Sequence, residues 1–148
     1  MVQQARPVTS PVQVQLIAVA VCFSNVIYAV VLVLLRLSSM PEGGFLGEDA
    51  PPTLLLGPVL LIAGVTLVAV SFLVRRAITP AVFRGGADLA AKTRLILISM
   101  AIADAAGVLG LVMGLVTGDL AWALTLCAVG LAGAILHFPT RVWLEEEV

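Results

Sequence analysis

Charge is scarce in this sequence. Only 11% of its 148 residues are Asp, Glu, Lys or Arg, against about 25% in an ordinary soluble domain. With 61% hydrophobic residues, that deficit is too large for a water-soluble core and points to an integral membrane protein. Aromatics are also few, at 5%, and Phe23, Phe72, Phe83 and Phe138 form no stripe that would hold a cofactor. The single histidine, His137, excludes a bis-His haem built within one chain. The two cysteines, Cys22 and Cys127, lie inside apolar runs and read as small packing residues rather than a disulfide. No Cys/His cluster has metal-ligand spacing, and there is no phosphate-binding loop, dinucleotide fingerprint, nucleophile elbow or HExxH. The reading is therefore no enzyme, no cofactor and no metal. The basic residues are too few for a nucleic-acid surface.

What the sequence does have is long apolar runs. Four are long enough to cross a bilayer, since about 20 residues suffice: residues 12–35, 54–74, 95–116 and 120–138. They imply one all-α domain, a four-helix transmembrane bundle. Pro41, Gly43, Gly44, Gly47, Pro51 and Pro52 break the first connection, and Pro80 with Gly85 and Gly86 the second. Asp88 fits an N-cap for the third helix. Gly118 and Asp119 make a tight turn before the fourth, with Trp122 as an interfacial anchor near its start. His137 is expected at the opposite interface, with its polar ring among the headgroups.

Basic residues orient the bundle. Residues 75–94 carry five: Arg75, Arg76, Arg84, Lys92 and Arg94. The first connection has only Arg36, and the third has none. The second connection is therefore expected in the cytoplasm. Four spans then put both termini there too, with Arg6 and Arg141, in a cell (inner) membrane. Anionic lipid is the natural contact for the loop arginines.

The sharpest functional feature is Asp104. It lies ten residues into the third span, about 15 Å deep at 1.5 Å per residue and so near the midplane. A charge at the bilayer centre is costly, and acids there usually face a partner or a functional pathway. No Lys or Arg lies inside the four expected spans to pair with it. A carboxyl group in such surroundings tends to hold its proton. It then serves in one of two ways: as a proton carrier, or as a hydrogen-bonding link to another helix, through Asn25 or a backbone carbonyl. Asn25, near the middle of the first span beside Ser24 and Tyr28, reads mainly as such a link.

Small residues cluster on the same helix. Ala106, Gly110, Gly114 and Gly118 recur every four residues and make one close-packing stripe. At 100° per residue Asp104 lies away from that stripe. The stripe is expected to bring copies of the chain together, as a homo-oligomer or with other membrane subunits.

The segment Asp104-Ala105-Ala106-Gly107-Val108-Leu109-Gly110-Leu111-Val112 resembles the carboxylate helix of the rotary ATP synthase proteolipid, subunit c, which often reads E-A-x-x-I-Y-G-L-V. The acid, the following alanine, the aliphatic residue four on and Gly-Leu-Val agree in type. The helix also follows a basic connection, as in that family. The resemblance covers about 20 of the 148 residues. It implies an ion-binding role for Asp104. It implies protons rather than sodium, because no Ser or Thr follows the acid. Two functions are thus expected: a non-enzymatic structural or assembly component of a membrane complex, or a proton-translocating, energy-coupling subunit.

Overall fold

The computed structural model describes residues 10–38, 43–49, 52–84 and 89–139. Arg6, Asp88, Arg141 and residues 145–147 lie outside them. The elements are α1 (Pro11–Leu37), a short 3-10 segment (Gly44–Asp49), α2 (Thr53–Arg84), α3 (Leu89–Thr117) and α4 (Leu120–Leu136). No strand occurs among the described residues.

Local chemistry sets the ends. Ser10 Oγ accepts from Gln13 N at 3.3 Å while Gln13 Oε1 accepts from Ser10 N at 2.9 Å, and Pro11 takes the first helical position. This capping box satisfies donors that helix geometry would otherwise orphan. The turn between α3 and α4 needs a positive φ, and Gly118 supplies it at 70°. Asp119 then caps α4, its Oδ1 accepting from Ala121 N at 3.0 Å and Trp122 N at 3.3 Å. The first connection seats on this turn. Gly44 has φ 64°, and a Cβ there would lie 2.6 Å from Gly118 N and 2.7 Å from Leu115 O, so only glycine fits.

One boundary differs from the sequence reading. The second helix does not stop at residue 74 but runs on to Arg84, so Arg75 and Arg76 are helical rather than in a loop. Arginine is a good helix former, and its long side chain lets a helix leave the hydrocarbon without ending. A change from apolar to charged sequence marks where the membrane ends, and here the helix continues beyond it. α3 begins at Leu89, ahead of its apolar span, as expected of a helix starting next to Asp88.

Among the described residues, three helices are long and apolar enough to cross a membrane: Val12–Leu37, Thr53–Thr79 and Ala90–Thr117. α4 is apolar and 17 residues long. The outward faces of α1 and α2 carry large bare side chains, among them Leu16 (69% exposed), Phe23 (59%), Leu54 (81%) and Ile62 (68%). So much apolar surface is untenable in water and ordinary in lipid. This is a membrane protein.

α3 is the central helix, packing on α4, α2 and α1. Small residues permit the approach. Gly57 lies under the Trp122 ring, where a Cβ would fall 2.5 Å from Cδ2, and Gly64 faces Leu126 and Ala106. Trp122, expected as an interfacial anchor, thus packs on α2. Among the described residues, two apolar clusters form the core. One joins Val14, Ala18, Ile96, Met100 and Ala134; the other joins Leu32, Ala123 and Cys127. On α1 the first cluster involves residues up to Cys22 and the second begins at Tyr28. The polar pair Ser24 and Asn25 lies in the gap.

Candidate functional site: an intramembrane polar clasp

The gap is filled by a three-helix junction built on Asp104. Its Oδ1 receives Asn25 Nδ2 at 2.6 Å and lies 2.7 Å from Ser24 Oγ. Both partners come from α1, and the acid is on α3. Asp104 itself is half-buried, while Asn25 is 1% exposed.

Two glycines make room for the amide. A Cβ on Gly107 of α3 would overlap Asn25 Oδ1 and lie 2.8 Å from its Cγ. A Cβ on Gly130 of α4 would lie 2.5 Å from the same oxygen and 2.7 Å from Gly107 N. The Asn25 amide therefore sits in a notch where α3 and α4 touch backbone to backbone. Cys127 closes the junction, its Sγ directed at Gly107 O at 3.7 Å. Asn25 Oδ1 has no hydrogen-bond donor among the described residues. It is held by contact with the two glycines.

Ser24 carries one hydroxyl proton but has two oxygens within reach: Val21 O at 2.6 Å and Asp104 Oδ1 at 2.7 Å. If it donates to the acid, Val21 O keeps only its helical bond from the backbone N–H of Asn25. If Asp104 is protonated, the acid's O–H donates to Ser24 Oγ, and the Ser24 hydroxyl donates a hydrogen bond to Val21 O. Both protonation states of Asp104 thus have a hydrogen-bonded arrangement in the same geometry.

Each residue singled out in the sequence has a place. Asn25 and Asp104 meet. Ala106 is fully buried and faces Gly64 of α2. A Cβ on Gly110 would fall 2.6 Å from Ala123 O and 2.9 Å from Leu126 Cβ; one on Gly114 would fall 2.5 Å from Leu32 Cδ2 and 3.0 Å from Ala123 Cβ. Gly118 forms the turn. The small-residue stripe thus packs against α1, α2 and α4 of its own chain. Gly107 and Gly130 are the residues that the four-residue spacing missed. Gly107 falls one position off that stripe, and its role shows only when Asn25 is seen beside it.

His137 also differs from expectation. Its ring is fully buried rather than presented to the headgroups. It meets Phe72 edge-on, centroids 4.3 Å apart and planes at 71°.

Comparison with protein-family models, curated proteins and solved structures finds no match. The functional reading rests on the geometry. Among the described residues no three His, Cys, Asp or Glu side chains converge as a metal site.

Proposed function

We propose that this chain is a small non-enzymatic protein of the cell (inner) membrane, a structural or assembly component of a membrane complex. In this reading it crosses the membrane four times with both termini in the cytoplasm. The observation that carries it is the engagement of Asp104 by two α1 side chains within the same chain. An intramembrane acid held this way acts as a fastener: it fixes the rotation and depth of α1 against the α3–α4 pair. Hydrogen bonds of this kind contribute about 0.6–2 kcal/mol each in membranes. The surroundings favour the same role. A groove of about 190 Å3 beside Asn25 is lined otherwise by Val26, Ala29, Leu124, Cys127, Ala128 and Leu131. A water path to the acid would call for polar lining.

With the glycine stripe occupied internally, the surface left for other subunits or a second copy is the outward apolar face of α1 and α2. Native mass spectrometry should find a homo-oligomer or a stable complex. A monomer at every concentration would remove self-association from the account.

A second reading keeps Asp104 as a proton carrier, as the proteolipid resemblance implies. The Ser24 hydroxyl favours it, since its two acceptors let the acid take or lose a proton without moving. Proteoliposome proton flux separates the two. The structural reading expects Asp104→Asn to leave flux and assembly unchanged; loss of a proton-coupled flux with assembly intact would establish the second.

The orientation is tested by labelling on intact cells, with Cys22 and Cys127 replaced by serine. Phe45 is 70% exposed in the first connection, so Phe45→Cys should react with an impermeant maleimide from outside and Gly85→Cys should not. The reverse pattern would invert the topology.

A further inference from the structure

At the far end of α2 from the Gly44 turn, an open groove of about 460 Å3 is lined by Phe72, Arg75, Arg76 and Thr79. We propose that this groove seats the phosphate of an acidic phospholipid.

Four observations converge. First, the lining brings two guanidinium-bearing side chains one residue apart and includes no carboxylate among its described residues. A guanidinium binds phosphate oxygens through paired N–H donors, with planar geometry that matches the anion. Arg76 is exposed, whereas Arg75 is half-buried and also interacts within the chain, so Arg76 is the more available of the two. Second, the groove is continuous with lipid-facing surface. Val65, Val70 and Leu73 are bare along α2 on the way to it, which gives acyl chains a path below the headgroup. The groove is thus at the end of an apolar span, where headgroup phosphates lie. Third, Thr79 uses its proton on Arg75 O at 2.5 Å. Its oxygen in the lining is left as an acceptor, suited to a headgroup hydroxyl such as that of glycerol. Fourth, the groove is built on a fixed floor. Phe72 is held edge-on by the fully buried His137, which keeps this part of the lining in place.

The test uses the full chain in detergent, with native mass spectrometry of retained lipid. Phosphatidylglycerol and phosphatidylcholine are offered in equal amounts, and inorganic phosphate is added at millimolar concentration in a parallel arm. The wild type should retain phosphatidylglycerol preferentially. Arg76→Gln should reduce that preference about fivefold, the effect expected of one arginine at an anionic surface. Arg75→Gln/Arg76→Gln should abolish it, and Arg36→Gln, at the other end of the bundle, should leave it unchanged. Thermal unfolding by circular dichroism reports whether each variant is folded. The wild-type comparison of the two lipids stands even if the double variant is not. Equal retention of both lipids, an unchanged preference in folded Arg76→Gln, or displacement of the lipid by inorganic phosphate would each overturn the proposal. The last would assign the groove to free phosphate.

Discussion

Gly107→Ala should destabilise the bundle by about 2–4 kcal/mol, though alanine is the better helix former. The added methyl would occupy the position of Asn25 Oδ1 and lie 2.8 Å from Asn25 Cγ. Asn25 cannot retreat without giving up its 2.6 Å bond to Asp104. Overpacking of this kind costs about 1–3 kcal/mol, and the lost intramembrane hydrogen bond adds about 0.6–2 kcal/mol. The helix-propensity gain of Ala over Gly, at most about 1 kcal/mol, does not offset this. Unfolding in mixed micelles measures the difference. The mechanism makes a further demand: Asn25→Ala removes the group the methyl strikes. Gly107→Ala should therefore be almost harmless in an Asn25→Ala background, a strong departure from additivity. An equal loss in both backgrounds would show that Gly107 is needed for something other than seating the amide.

Asp104→Leu should be the most damaging change at the acid, by about 2–4 kcal/mol. Leucine suits lipid and the helix, so any transfer scale would favour it. The harm comes from α1. Without Oδ1, the Asn25 amide is stranded at 1% exposure with neither its donor nor its acceptor satisfied. An orphaned buried amide costs about 1–3 kcal/mol, and the packing matched to the smaller side chain is also lost. Asp104→Asn should be close to silent in the same assay. With its carbonyl oxygen at the position of Oδ1 it can accept from both Asn25 Nδ2 and Ser24 Oγ, the two bonds the acid's Oδ1 receives. Equal destabilisation by Asn and Leu would mean that a negative charge, rather than a hydrogen-bonding group of this shape, is what the site requires.

The all-helical character and the membrane setting are legible from the apolar runs alone, because run length and charge scarcity are bulk properties that need no partner. Asp104 and Asn25 also stand out in the sequence, as isolated polar groups in apolar runs. Their pairing can be read from the sequence only as one option beside a backbone carbonyl; the structure shows that it is made. They are 79 positions apart, and nothing local determines which face of α1 meets α3. The glycines show the same limit. Spacing finds Gly110 and Gly114 as a stripe, yet whether a stripe meets another subunit or the chain's own α4 is a tertiary fact. Gly107 and Gly130 have no periodic signature, since what they share is the Asn25 side chain lodged between them. The extension of α2 past residue 74 was hidden because arginines that leave a membrane look like a loop when only hydropathy is read. His137 was placed among headgroups on the same ground, whereas its ring packs under Phe72.

The central claim is that Asp104 fastens α1 to the α3–α4 pair. A double-mutant cycle between Asn25→Ala and Asp104→Leu, measured by reversible unfolding of the full chain in bicelles, tests it most directly. The account predicts a coupling of about 0.6–2 kcal/mol, in the range of intramembrane hydrogen bonds, with the double variant less damaged than the two single losses added together. Additive losses, with coupling indistinguishable from zero, would contradict it.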